Sequence, residues 1–316
     1  MATMVMNRML RHEVILAVLL IAALIVLAGQ SEHFWTSDNL LNQGRLMAEV
    51  GLVALPMTFV IVTGGIDLSV GSIFGLSAIL LGVFWQNMGM PLPVAMVAAV
   101  LVGAVAGLGN GFIITRFKVP PLIATLATLA LYRGLAEGIS QARSVRGYPD
   151  WFLGLGTNDL LGVPNQLWLM ILCFVIAAFI LGMTTFGRTT YAIGSNEVAA
   201  RFSGLRVDRA KLLIYGASGL IAGLAAVIFV SRVSTTRSDM GTGLELDVIT
   251  AVVLGGTSIF GGRGTIIGTG LGLILMQALK NGLALSGVKG DGTIVVIGAV
   301  LIAAILVGNL LSRDGD

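Results

Sequence analysis

The chain is poor in charged residues, cysteine and histidine. Of its 316 residues, 11% are charged and 56% are hydrophobic, whereas a soluble domain is about 25% charged. This composition indicates an integral membrane protein. Cys173 is the single cysteine, which excludes an internal disulfide, and no Cys and His spacing resembles a zinc or iron–sulfur site. The net charge of +3 gives no reason to expect nucleic acid as a partner, and we expect neither a metal nor a cofactor.

The motifs of common enzymes are also missing. No G-x-x-x-x-G-K-[ST] phosphate loop occurs, because the glycine-rich stretch 255–270 has no Lys followed by Ser or Thr. The chain has no H-E-x-x-H and no G-x-S-x-G, and its two histidines, His12 and His33, both lie near the N-terminus. ATP hydrolysis through a phosphate loop is therefore excluded for this chain, and an intramembrane enzyme is disfavoured.

Long apolar runs fill most of the chain. A helix needs about 20 apolar residues to cross about 30 Å of hydrocarbon. We therefore predict an all-α polytopic membrane protein with one membrane domain over residues 1–316. The runs give about ten spans, at 14–30, 46–63, 68–86, 93–114, 121–140, 165–184, 212–231, 247–260, 265–284 and 293–311. The third is interrupted by glycine and the eighth is short, so eight or nine spans remain an alternative.

The distribution of basic residues predicts the orientation. With ten spans and a cytoplasmic N-terminus, 11 Lys and Arg residues fall inside and 7 outside. This bias follows the positive-inside rule and predicts that both termini are cytoplasmic. The N-terminal run lacks a small-x-small cleavage pattern, so it is expected to remain as the first span.

One long hydrophilic segment, residues 187–211, interrupts the apolar blocks. It carries five basic residues, Arg188, Arg201, Arg206, Arg209 and Lys211. A short amphipathic helix is predicted within it, from Asn196 to Phe202. We interpret the segment as a cytoplasmic loop that contacts a soluble partner carrying the energy source; the alternative is a solvated basic connector.

Three ionisable residues in or beside predicted spans are the best candidates for an ion pathway. Arg133 and Glu137 are spaced i, i+4 and share a helix face, which favours a structural pair over part of an ion pathway. Asp67 directly precedes an apolar run. The favoured interpretation is a helix N-cap whose carboxylate accepts backbone N–H groups, and the alternative is an ion site.

Uncharged polar residues and glycines also recur inside the spans. Glycines at four-residue spacing, such as Gly103, Gly107 and Gly111, predict close helix approach. A polar path for a hydroxylated solute could be lined by a set of amide and hydroxyl side chains: Asn110, Thr125, Thr128, Gln277 and Asn281.

Four strings in order along the chain carry a resemblance to a known family. They are VTGGIDLSVGS (62–72), GLGNGFIITRFKVPPLIATLATLALYRGL (107–135), GRTTYAIGSNEVAARFSGLRV (187–207) and ELDVITAVVLGGTSIFGGRGTIIGTGLG (245–272). They resemble the membrane permease subunits of bacterial ABC sugar importers, in the branch with ribose, xylose, rhamnose and autoinducer-2 permeases.

The resemblance implies a multi-pass subunit in the bacterial inner membrane that works with other chains. Its expected partners are cytoplasmic ATP-binding subunits, a second permease subunit (the same or a related chain), a periplasmic sugar-binding protein and membrane lipid. Transport would proceed by alternating access driven by the ATPase partners, and the chain itself would not be an enzyme. A self-contained secondary transporter coupled to protons or sodium is the alternative.

The resemblance also implies roles for individual residues. The cytoplasmic loop would dock into the ATPase through Asn196, Glu197, Ala199, Ala200, Arg201, Ser203 and Gly204. Ala199 and Ala200 would pack close to the ATPase groove, Arg201 would pair with an acid there, and Gly204 would end the helix. On the outer face, candidate residues for docking the binding protein are Arg143, Arg146, Arg232 and Arg237.

Overall fold

The computed structural model describes residues 2–29, 31–290, 292–300 and 302, and most of them are helical. The helices are α1 (Ala2–Ala28), α2 (Ser37–Val62), α3 (Val70–Gly82), α4 (Leu92–Arg116), α5 (Pro121–Ser140), α6 (Asp150–Thr157), α7 (Asn165–Met183), α8 (Thr185–Ser195), α9 (Glu197–Phe202), α10 (Val207–Val233), α11 (Leu244–Leu254) and α12 (Ile266–Leu285). A π-helical turn, Val83–Asn87, extends α3.

Four two-residue strands form two small antiparallel sheets. Strand β1 (Val145–Arg146) pairs with β4 (Thr235–Thr236), and β2 (Asp159–Leu160) pairs with β3 (Val163–Pro164). The first sheet therefore joins the segment after α5 to the segment after α10. It lies at the C-terminal end of α10, and α9 lies at the N-terminal end of that helix.

Within the described residues, seven helices are long and apolar enough to cross a membrane: α2, α3 with its π-helical turn, α4, α5, α7, α10 and α12. These helices confirm an all-α polytopic membrane protein. Helix α1 contains a shorter apolar stretch, Leu16–Ala28. About half of the predicted span 293–311 lies outside the described residues. The part that is described, 293–300 and 302, is helical. The count of ten spans and the orientation of the termini stay predictions.

The predicted eighth span, 247–260, is wrong as a single helix. Helix α11 ends at Leu254, and residues 255–265 are not helical. Gly256 follows the end of α11 with φ +87°, a left-handed conformation that glycine adopts without steric cost. The predicted span is instead a helix of 11 residues followed by a glycine-rich loop.

Helices α4 and α10 make the most extensive helix contact in the described bundle. A Cβ on Gly111 would lie 2.9 Å from the Cα of Leu212, and side chains at Gly103 and Gly107 would collide with the backbone at Gly219. This confirms the prediction that the glycine strips permit close approach, because the two backbones touch with no side chain between them.

Helix α10 also packs against α2, α3 and α6, and the core lies between these helices. Helices α5 and α7 lie at the periphery and present large apolar side chains outward, for example Leu126, Val175 and Phe179. Exposed apolar side chains on a transmembrane helix suit contact with lipid. The bundle thus has a glycine-lined helix contact at its centre and an apolar rim.

Candidate functional site

The short helix α9 forms where the sequence predicts it, between residues that define both of its ends. The Asn196 side chain accepts a hydrogen bond from the Ala199 N–H at 2.9 Å and caps the N-terminus. At the other end, Gly204 has φ +81°, and the Leu205 N–H donates to the Ala200 carbonyl at 3.1 Å. This is a Schellman ending, so α9 has fixed boundaries and a fixed direction.

The outward face of α9 is apolar. Val198 is 61% exposed and Phe202 is 89% exposed, and their i, i+4 spacing puts them on one face. Ala200 instead points inward and packs with Ile193 and Val207. Ala199 and Ala200 were predicted to pack against a partner; Ala199 is exposed, but Ala200 is buried in its own chain. Val198 and Phe202, two apolar residues four apart in a polar loop, were not among the predicted residues.

The charged residues of the α9 region bond to one another. Arg201 forms ion pairs with Glu197 at 2.8 Å and with Asp208 at 2.5 Å. Lys211 pairs with Glu197 at 2.5 Å, and Lys118 pairs with Asp208 at 3.0 Å. Arg201, which the sequence analysis paired with an acid of a partner, is thus bound to acids of its own chain.

These ion pairs shift the protonation equilibria of the α9 residues. Burial opposes ionisation of the Glu197 carboxyl, but hydrogen bonds from Lys211 and Arg201 outweigh burial and hold the pKa of Glu197 below its usual value. Hydrogen bonds to Asp208 and Glu197 raise the pKa of Arg201 above its usual value. Glu197 and Arg201 are therefore charged at neutral pH, and their ion pairs hold α9 against the start of α10.

The end of α8 contacts the end of α2 and the loop between α11 and α12. A side chain at Gly194 would collide with the Val62 carbonyl oxygen and the Gly262 backbone nitrogen. The Gly262 N–H donates to the Val62 carbonyl at 2.9 Å, and the Tyr191 hydroxyl donates to the Gly264 carbonyl at 2.6 Å. We call this contact of residues 191–195, 62–64 and 261–264 the glycine junction. A displacement of α8 and α9 would act directly on the end of α2 and on the loop before α12.

A buried polar cluster lies between α2 and α3. The Asp67 carboxylate accepts hydrogen bonds from the Ser69 N–H at 3.0 Å, the Ser69 hydroxyl at 2.6 Å and the Ser218 hydroxyl at 3.2 Å. The Asn110 amide donates to the Ser69 hydroxyl at 2.7 Å. Asp67 does accept a backbone N–H, but the N-cap of α3 is Ser69, so the predicted cap is displaced by two residues.

The five residues predicted to line a path fall into two separate clusters. Asn110 and Thr125 belong to the Asp67 region, where the Thr125 hydroxyl donates to the Ile66 carbonyl at 3.0 Å. Thr128 donates to the Thr125 carbonyl at 3.2 Å. In the second cluster, Gln277 donates to Gln43 at 2.6 Å, and Gln43 donates to Asn281 at 2.9 Å. All five predicted residues are buried within this chain.

Arg133 has a different partner from the one predicted. Its guanidinium donates to the carbonyl oxygens of Ser238 at 2.7 Å and Met240 at 2.8 Å. Glu137 is exposed, and the ion pairs found in the described part of the chain do not join it to Arg133. The prediction of a self-neutralising pair is therefore wrong, and Arg133 holds the segment that leads into α11.

The four arginines predicted to dock a partner lie in one region but differ in exposure. Arg143, Arg146 and Arg237 are exposed, and the β1–β4 pairing brings their segments together. Arg232 instead donates to both carboxylate oxygens of Glu49, at 2.8 and 3.0 Å, and its guanidinium lies 5.1 Å from the centre of the Phe229 ring. Arg232 is thus held by groups of its own chain.

No group of three or more His, Cys, Asp or Glu side chains suited to a metal ion occurs among the described residues. The polar groups assembled here are hydrogen-bond donors and acceptors.

Comparison with known proteins places the chain in a family. Residues 39–305 match the family described as "Branched-chain amino acid transport system / permease component". The ribose import permease protein RbsC of Bacillus subtilis (strain 168) is 42% identical over 284 residues, which cover 89% of this chain and 88% of that protein. The autoinducer 2 import system permease protein LsrD of Escherichia coli (strain K12) is 37% identical over 300 residues, 93% of this chain and 91% of the relative.

Both relatives are aligned almost end to end, and the family match spans six of the seven candidate membrane helices completely. These matches agree with the apolar helices and with the resemblance seen in the four sequence strings. The chain therefore belongs to this permease family and is a multi-pass membrane permease of the ABC transporter class.

Proposed function

We propose that the chain is the transmembrane permease subunit of a binding-protein-dependent importer that moves a sugar or an autoinducer-2-like solute across the bacterial inner membrane. The names of the two relatives, which are import permeases for ribose and for autoinducer 2, support this solute class. Residues 1–316 would form one membrane domain with cytoplasmic termini, and residues 187–211 would be its cytoplasmic coupling loop.

One observation carries the proposal: a rigid helix in a hydrophilic loop exposes two apolar side chains. Val198 and Phe202 are exposed while every acid of the α9 region is engaged in an ion pair within the chain. An apolar pair on a fixed helix suits insertion into a groove of a second protein. Burial of a Phe side chain is worth about 2 kcal/mol, or about 30-fold in affinity.

The partner that fits this surface is a cytoplasmic ATP-binding subunit, because the sequence has no phosphate loop of its own. ATP-driven movement of that subunit would displace α9, and the glycine junction would pass the displacement to the end of α2 and to the loop before α12. Two permease subunits, identical or related, would enclose the path and alternate between outward- and inward-facing states.

At the opposite end of the bundle, a periplasmic sugar-binding protein would deliver the solute. Arg143 and Arg146 are exposed there and can pair with acidic residues on such a protein, whereas Arg237 is exposed but already paired with Asp239. Surface ion pairs of this kind mainly favour fast and specific encounter. Arg232 is bound to Glu49 and would contribute less to this contact.

The test is co-purification of the partners from solubilised native membranes. Phe202→Glu should lose the ATP-binding subunit, because a charge would enter an apolar groove. Leu161→Glu is the matched control, since Leu161 is 88% exposed in the loop between α6 and α7. If Phe202→Glu retains the ATPase as well as the wild type does, α9 is not the docking helix.

A second candidate function is a secondary sugar transporter coupled to protons or sodium. The fully buried carboxylate of Asp67, at the hydroxyl groups of Ser69 and Ser218, is the feature that favours it, because buried acids mark ion pathways. Solute uptake by the purified chain alone, driven by a pH or sodium gradient, would establish this function. Uptake that requires ATP and the ATPase partner would exclude it.

A further inference from the structure

The segment between α10 and α11 enters the bundle without helical structure. Its start packs against α3 at Gly82, where a Cβ would lie 2.9 Å from the Val145 Cβ and 3.0 Å from the Thr236 Oγ1. Its end packs at Gly71, where a side chain would collide with the Glu245 carboxylate and the Gly241 carbonyl. Gly71 and Gly82 are about 16 Å apart along α3 at 1.5 Å per residue. We call residues 235–243 the re-entrant segment; Glu245 lies in the first turn of α11, which follows it.

The inner end of this segment reaches the middle of the bundle. Gly71 lies four residues beyond Asp67, whose carboxylate accepts a hydrogen bond from the Ser218 hydroxyl. Ser218 is about 16 Å along α10 from its start and about 22 Å from its end. The re-entrant segment therefore descends from the β1–β4 sheet to about half the depth of α10, and α11 starts inside the membrane domain.

The buried side of the re-entrant segment is held by Arg133 and by local turns. Arg133 satisfies the Ser238 and Met240 carbonyls. The Thr242 N–H donates to the Asp239 carbonyl at 3.2 Å, and the Leu244 N–H donates to the Gly241 carbonyl at 3.2 Å. An irregular backbone is stable at membrane depth only when such partners replace the hydrogen bonds of a helix.

The opposite side of the segment is both exposed and polar. The Arg237 and Asp239 side chains are 60% and 62% exposed and form an ion pair at 2.8 Å. Thr242 is exposed as well, and its hydroxyl donates to the Asp239 carbonyl at 2.7 Å. Irregular backbone does not face lipid in the hydrocarbon region; it is buried in protein or lines a water-filled cavity. Charged side chains at that depth are also costly in lipid, because the hydrocarbon cannot solvate them.

From this geometry we infer that Arg237, Asp239 and Thr242 line the water-filled half of the solute path that opens at the end of the bundle farthest from α9. The ion pair offers donors and acceptors with no net charge, and Thr242 adds a hydroxyl group. Such a surface binds a neutral, polyhydroxylated solute better than an ion. The inference rests on the proposed importer function for its solute, and it moves the path from the buried predicted residues to this exposed edge.

The test measures water access at single cysteines in a Cys173→Ala background. Thr242→Cys should react with a charged, membrane-impermeant methanethiosulfonate reagent in native membranes, because the reactive thiolate forms only in water. Val175→Cys is the matched control, since Val175 is 59% exposed near the middle of α7 and faces lipid. Leu161→Cys provides the rate for a fully accessible loop.

We expect Thr242→Cys to be labelled at a rate within about tenfold of Leu161→Cys, with Val175→Cys unlabelled. If Thr242→Cys is as unreactive as Val175→Cys, the inference is overturned, and the edge faces lipid or a second copy of the chain. Asp239→Cys repeats the test at a second position should Thr242→Cys fail to fold. Labelling needs no transport, so a failed ATPase co-purification would refute the importer without changing this result.

Discussion

Glu49→Gln is expected to destabilise the protein by about 3 kcal/mol, because it leaves the Arg232 guanidinium without its anionic partner in a largely buried site. The wild-type pair is bidentate, with Nε–Oε1 at 2.8 Å and Nη2–Oε2 at 3.0 Å. The Glu49 side chain is only 8% exposed and that of Arg232 is 21% exposed. The pair also ties the middle of α2 to the last turn of α10.

The magnitude follows from two opposing contributions. At an effective dielectric constant of about 20, opposite charges about 4 Å apart attract by about 4 kcal/mol. Partial hydration of Arg232 in the variant recovers some of this energy, which leaves about 3 kcal/mol. Removing both charges, in Glu49→Gln with Arg232→Met, should cost less than the sum of the two single changes, with a coupling of about 2 kcal/mol.

The assay is unfolding of the purified protein in mixed micelles of rising sodium dodecyl sulfate content, followed by the fluorescence of its 4 tryptophans. Asp159→Asn is the control, because the Arg45–Asp159 pair is more exposed, at 24% and 32%, and should contribute about 1 kcal/mol or less. A coupling near zero between Glu49 and Arg232 would show that the pair does not stabilise the fold. Binding-protein docking should then be re-examined at Arg232.

Two other predictions concern the α9 region. Because the pKa of Glu197 is depressed in the folded protein, its ion pairs stabilise α9 above about pH 4.3, the usual Glu value. This stabilisation is lost as the pH falls through the lower folded-state pKa. Hydrogen exchange in residues 196–205, corrected for intrinsic rates, should therefore accelerate over that pH range in the wild type but not in Glu197→Gln. Gly194→Ala should destabilise the protein by about 2 kcal/mol through overpacking at the glycine junction. Gly182→Ala, where an added Cβ would meet open space, should be neutral in the same mixed-micelle unfolding assay.

The sequence predicts well those features that depend on local pattern. Long apolar runs locate α4, α7 and α10, and the Asn196 and Gly204 positions locate both ends of α9. It fails at 247–260, because the apolar composition of that run does not distinguish a crossing helix from a half-helix followed by a loop. That distinction depends on groups elsewhere, such as the α8 residues that contact the loop after α11.

Partners distant in sequence explain most of what was missed in the candidate site. Arg133 binds carbonyls more than 100 residues away, so its spacing from Glu137 was uninformative. Arg201 had two acids within reach in its own loop, and only the folded geometry shows that both are used. Which face of α9 is outward could not be read from its small residues alone, since Ala199 is exposed and Ala200 is buried.

The close contact between α4 and α10 has a mechanical consequence. Where its glycine Cα atoms meet the opposing backbone, this interface has few side chains that can repack, so a slide to a second stable register would require the two helices to separate. The two helices should therefore move as one lever, with α9 attached at the end where α10 begins. Bending must then occur at the interruptions near Gly64 and Gly256, where the backbone already has left-handed glycine conformations.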